Sequence, residues 1–215
     1  MRYFKKIVLI ICLLVLVLSA LYAVEAYYQV VSIENKVVRL HILANSDMKQ
    51  DQELKLKVRN SILSEFNSKF SNLTTSEDAE ATIIYNLERI REIAQNTVYD
   101  QGYYYKVKVY YGNYLFPERT YGDFTLPKGD YNAVRVVIGQ GKGQNWWCVM
   151  FPPICFLDFG KTSQDVVFEA DVEKQLETIL SKDEIDLIKT NRGYYNIRFK
   201  SKLAEIVINL IEAFR

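Results

Sequence analysis

The chain has 215 residues and 49% hydrophobic content, the size and apolar fraction of one ordinary globular domain, which excludes a disordered or collagen-like chain. Lys and Arg number 27 against 26 Asp and Glu, so there is no basic field to gather phosphates, and a nucleic-acid partner is not expected. Aromatics reach 13%, with 16 Tyr and 11 Phe, against one His and three Cys. That balance points towards recognition rather than side-chain catalysis.

Arg2, Lys5 and Lys6 precede an apolar run from Ile7 to Val24. The pattern is that of an export signal, and Val24-Glu25-Ala26 offers a cleavage point of poor quality. As a helix the run also nearly spans a hydrocarbon core of about 30 Å, so residues 1–26 read either as a signal peptide or as an uncleaved membrane anchor through residues 7–24. The basic flank keeps the N-terminus cytoplasmic and places the rest outside. Loss of residues 1–26 removes three basic groups and one acidic group, taking the net charge from +1 to −1. Residues 27–35 read as a short stalk and residues 36–215 as one extracytoplasmic domain.

Cys12 lies in the leader, leaving Cys148 and Cys155 as the only pair in the body. Outside the cytoplasm such a pair suggests a disulfide, helped by the Pro152-Pro153 bend; two buried thiols are the alternative. Three scattered Cys and His ligands make no zinc site, and no metal or other cofactor is expected.

Val37 to Leu43 is β-branched and apolar, which fits a strand buried on both faces. Asp51 to Phe70 places Leu54, Val58, Ile62, Phe66 and Phe70 at steps of four, predicting an amphipathic helix capped by Asn45, Asp47 or Asp51 and stiffened by Asp51–Lys55 and Glu53–Lys57 pairs. Thr74-Thr75-Ser76-Glu77 has capping-box spacing and opens a second helix along Ala79, Ile83, Leu87, Ile90 and Ala94. From Tyr103 to Tyr110 the period becomes two, a strand, followed by turn signals at Gly112-Asn113, Tyr121-Gly122-Asp123 and Pro127 to Asp130. Strands are expected at Tyr131–Ile138 and Asn145–Met150, joined by a glycine-rich hairpin turn at Gly139 to Gly143. Helices are expected at Phe168–Leu180, at Asp183–Lys189 and along the stripe Leu203 to Phe214. The sum is an α+β domain, a mainly antiparallel sheet packed by amphipathic helices, behind an apolar export or anchor helix.

The glycine segment lacks the Walker spacing, so no phosphate loop and no small-molecule substrate is expected. His41 sits in the apolar strand and reads as a buried, hydrogen-bonded structural residue. Trp146 and Trp147 alternate along a strand, so one is expected in the core and the other exposed.

Three blocks carry a resemblance: Val38-Arg-Leu-His-Ile-Leu-Ala-Asn-Ser-Asp47, Asp51-Gln-Glu-Leu-Lys-Leu-Lys-Val-Arg59, and Tyr121-Gly-Asp-Phe-Thr-Leu-Pro-Lys-Gly-Asp-Tyr131 running on through Trp146-Trp147-Cys148 and Pro152-Pro153-Ile154-Cys155 to Asp158. Together they resemble the stage II sporulation protein R family of endospore-forming bacteria over residues 37 to 158. Met48-Lys49 departs from the Ser-Pro that commonly precedes the first helix there. The resemblance implies a signalling protein made in the forespore and exported into the space between two membranes. There it would trigger a membrane-embedded aspartic protease of the mother cell, leading to processing of the sigma-E precursor, without catalysis of its own. It supplies no catalytic residues to transfer. From residue type, the expected partner surface is Asn45, Asp47 and Asp51 at the strand-to-helix junction with Lys142, Trp146 and Trp147 at the glycine turn. Two rival readings are an exported cell-wall hydrolase using His41 with Asp47 or a free Cys148, and a module lying on the membrane through Leu203 to Phe214.

Overall fold

The computed structural model describes residues 2–70, 72–157 and 169–189. Helix α1 runs from Arg2 to Lys36, so residues 27–35 continue the apolar helix where a stalk was expected. It is long and apolar enough to cross a membrane. The chain divides after Ser32, and the second unit starts at Ile33, which is fully buried.

Strand β1 (Val38–Leu43) is buried along its whole length. Helices α2 (Lys49–Phe70), α3 (Ser76–Tyr85) and α4 (Leu87–Asp100) follow. The expected single second helix is two, because the Asn86 side chain donates back to the Thr82 carbonyl at 2.7 Å and ends α3. Its cap is Thr75, one residue later than expected, with Thr75 Oγ1 accepting the Asp78 amide at 3.1 Å. Strands β2 (Val107–Phe116), β3 (Arg119–Tyr121), β4 (Phe124–Leu126), β5 (Gly129–Ile138) and β6 (Asn145–Phe151) come next. Gly112-Asn113, expected as a turn, lies inside β2 opposite Ala133 and Asn132. Short helices α5 (Ile154–Leu157), α6 (Glu169–Leu176) and α7 (Lys182–Ile188) complete the described chain. The stripe Leu203 to Phe214 lies outside the described residues.

The main sheet has the order β2-β5-β1-β6, and β3 and β4 form a separate hairpin. Pairings β2–β5 and β1–β6 are antiparallel; β1–β5 is parallel. One face buries Leu40, Ile42, Val134 and Val136 against Leu54, Val58 and Ile62 of α2 and Ile90 and Ala94 of α4. The other face gathers Ile33, Phe116, Tyr131 and Val149 with Phe124 and Leu126 of the hairpin and Val172, Leu176 and Ile185. Burial on both faces explains why β1 is apolar but for Arg39 and His41, where a half-exposed strand would alternate. Lys36 ties the end of α1 to α7 through Glu184 at 2.8 Å.

Candidate functional site

The glycine segment is no hairpin turn. Because β1 lies between β5 and β6, residues 139–144 must span two strand spacings, about 10 Å, and cross the end of β1. The crossing is held from beneath by the β1–α2 junction. Amides of Lys142 and Gly143 donate to the carbonyls of Asn45 (3.2 Å) and Ala44 (3.0 Å). The Gln140 amide donates to Asn45 Oδ1 at 3.0 Å, and the Gln144 amide to Asp47 Oδ1 at 2.6 Å. Glycine is required here: Gly139 has φ 58°, and a Cβ at Gly143 would overlap the Ser46 carbonyl.

A second layer fixes the first. Asp51 Oδ2 accepts from Asn45 Nδ2 at 2.8 Å and from Ser46 Oγ at 2.6 Å. Lys55 Nζ donates to the Gln144 carbonyl at 2.9 Å and to Gln52 Oε1 at 2.6 Å. Burial lowers the pKa of Lys55, opposed by the Asp47 charge and reinforced by Arg59. The expected Asp51–Lys55 pair is therefore replaced: the carboxylate serves the junction and the ammonium serves the loop. Asp51 is itself 1% exposed. Asn45, Asp47 and Asp51 thus build the platform, while Lys142 stands exposed on top of it.

Trp146 and Trp147 take opposite faces, as expected, opposite Ile42 and His41. Neither is exposed. Trp146 lies on the helical face with the Arg59 guanidinium 4.3 Å over its ring. Trp147 stacks on His41, centroids 3.9 Å apart, and meets the Phe116 ring edge-on at 4.8 Å. Each indole therefore packs where one free indole was expected.

His41 is buried, but as a stacked rather than a hydrogen-bonded residue: neither imidazole nitrogen makes a hydrogen bond of ordinary geometry. Burial lowers its pKa to about 4, with the Asn145 side chain opposing and the Arg135 charge adding to the shift. Cys148 is bonded to Cys155, Cα atoms 5.8 Å apart, and lies on the sheet face opposite His41. Asp47 is occupied by the Gln144 amide. Cys148 is thus neither free nor on the face of His41, and neither imidazole nitrogen bonds a carboxylate, so the pairings of the hydrolase reading are not formed. Among the described residues, no group of three His, Cys, Asp or Glu side chains is placed to hold a metal.

Sequence reasoning missed Arg39. It is fully buried, with Nε donating to the Cys148 carbonyl at 3.0 Å and Nη2 to the Tyr121 hydroxyl at 2.9 Å. Its guanidinium lies 4.6 Å from the Phe116 ring centre and 4.9 Å from that of Tyr131, an aromatic cage that stabilises a cation through ring faces. The available signal was a single basic residue inside an otherwise apolar strand.

An apolar helix of membrane-spanning length and a disulfide-bearing body define an α+β protein suited to export or membrane anchoring. Residues 34–161 match the family described as stage II sporulation protein R (spore_II_R), and the chain belongs to that family. It is similar to the stage II sporulation protein R of Bacillus subtilis (strain 168), 38% identical over 162 residues that cover 73% of this chain and 72% of the relative. No solved structure matches.

Proposed function

We propose that this chain is an exported signal of sporulation, delivered from the forespore into the space between the two membranes. There it activates a membrane-embedded aspartic protease of the mother cell, which leads to processing of the sigma-E precursor. In this reading residues 1–26 are the leader or anchor and the rest of the chain is the extracytoplasmic body. The protein acts as a ligand and not as a catalyst. The observation that carries the reading is family membership across residues 34–161, which include the β1–α2 junction, the glycine crossing and the disulfide. The buried, stacked His41 and the bonded Cys148 favour a ligand over the hydrolase. The partner surface is the glycine crossing, with Lys142 as its exposed cation.

The test is co-expression of the full chain with the protease and the sigma precursor in a non-sporulating host. Precursor processing that depends on this chain is expected. Equal processing in its absence refutes the reading.

A further inference from the structure

Strand β2 is an outer strand of the sheet, paired with β5 without a register shift from Val107 to Phe116. The Gly139 amide donates to the Lys106 carbonyl just before it, which sets the phase of the ladder. In an antiparallel pair alternate residues exchange bonds with the neighbour, so the even-numbered residues of β2 face β5 and the odd-numbered ones face outwards. Gln95 shows the outward phase directly, accepting the Val107 amide and donating to the Tyr105 carbonyl, each at 2.9 Å. Past that cap, the amides and carbonyls of Val109, Tyr111, Asn113 and Leu115 have no backbone partner on the outer side among the described residues.

Long edges are ordinarily blunted by charge, proline or a bulge. From Val109 to Leu115 this edge carries none of the three, and Tyr110 and Leu115 are 47% and 57% exposed. We propose that the edge is a contact for a second copy of this chain, whose own β2 adds antiparallel across a two-fold axis at Gly112. Among two-fold registers this one uses all four outward residues: Val109 bonds with Leu115 of the second copy and Tyr111 with Asn113. Tyr110 then lies against Tyr114, an aromatic cross-strand pair, and Gly112 meets itself on the axis. No like charges meet, because Lys108 falls opposite Phe116. The strand is complementary to itself, as an isologous contact demands, and the Gln95 cap stops it from sliding further.

The register is read by disulfide trapping in the full chain, in membranes, with Cys12→Ser removing the exposed free thiol of α1. The nearest atoms to a Cβ at Gly112 belong to the Tyr114 side chain, the hydroxyl first at 3.5 Å, an ordinary van der Waals contact, so Gly112→Cys is accommodated. Gly112→Cys alone, and Val109→Cys mixed with Leu115→Cys, are expected to give covalent dimers several-fold above a Tyr85→Cys control on exposed α3. Val109→Cys or Leu115→Cys by itself is expected to stay at control level. Adding Asn113→Pro, which removes one outward amide and leaves the β5 ladder intact, is expected to abolish trapping. Trapping at control level in both Gly112→Cys and the mixed pair overturns the proposal. A Gly112→Cys dimer without the mixed pair also overturns it, since the register is then different.

Discussion

Trp147 lies flat on His41, the two ring planes 12° from parallel, and closes the imidazole off from water. The folded protein holds the neutral ring. The unfolded chain binds a proton near pH 6.5, whereas the folded one refuses it until about 4. Stability from this group is therefore complete above about pH 6.5 and is lost progressively as the pH falls towards about 4. His41→Gln is expected to flatten that part of the acid limb, measured as urea midpoints on either side of the window. An acid limb of unchanged slope in the variant contradicts the buried neutral histidine.

Asn45→Ala removes the acceptor of the Gln140 amide and the donor to Asp51 together. A loss of about 1–3 kcal/mol is expected from the buried Asp51 carboxylate that loses a donor, whereas the exposed Gln140 amide turns to water and adds little. Amide exchange should rise first at Gln140, Lys142 and Gly143. Gly143→Ala is expected to free the same amides by displacing the loop, because the added Cβ overlaps backbone that cannot retreat.

For Arg39 the order of two substitutions is informative. Arg39→Met keeps the apolar stem against Phe116 and Tyr131 and costs about 1–3 kcal/mol through the Cys148 carbonyl it leaves behind, while the Tyr121 hydroxyl keeps its bond to the Trp147 carbonyl. Arg39→Lys retains a buried charge that is more strongly hydrated and cannot reproduce the planar fork. Lys is expected to destabilise more than Met. Equal or reversed midpoints in chemical denaturation argue against a cage selective for guanidinium.

The disulfide joins residues seven apart, one in the middle of β6 and one in α5. Paired Ser substitutions at Cys148 and Cys155 are expected to cost about 2–4 kcal/mol, towards the lower value because the closed loop is short. Comparison of wild-type and variant unfolding, with and without reductant, reads this: reductant should lower the wild type to the level of the variant.

Lys142→Ala touches none of the bonds that hold the loop, which use the backbone of Lys142 alone. Unchanged thermal unfolding and loss of precursor processing in the co-expression host are expected. Normal processing moves the partner surface away from the crossing.

Elements whose reason is local were legible. β1, α2 and the β3–β4 turn follow from apolar runs, four-residue steps and Tyr121-Gly122-Asp123. Asn86 was harder, because the apolar stripe continues past it and only its side chain turns back. The glycine turn misled for a topological reason: nothing between Gly139 and Gly143 signals that a strand some ninety residues earlier separates β5 from β6. Asn45, Asp47 and Asp51 are close in sequence, and in the fold their side chains latch the junction and the crossing, a task that polar residue type alone does not distinguish from a ligand contact. Arg39 depends on Phe116, Tyr121 and Tyr131 of β2, β3 and β5, all of them more than seventy residues further along the chain, beyond the reach of any local pattern.

The position of β1 between two later strands has a kinetic side. Its partners begin at Gly129 and end at Phe151, so every ladder contact it makes is distant along the chain, the kind of contact that slows folding. In a chain that emerges N-terminus first, Val38 to Leu43 arrives well before anything it can pair with. Until Phe151 has followed, a strand that is buried along its whole length in the fold has two open edges, and that interval is when the protein is most exposed to mispairing and proteolysis.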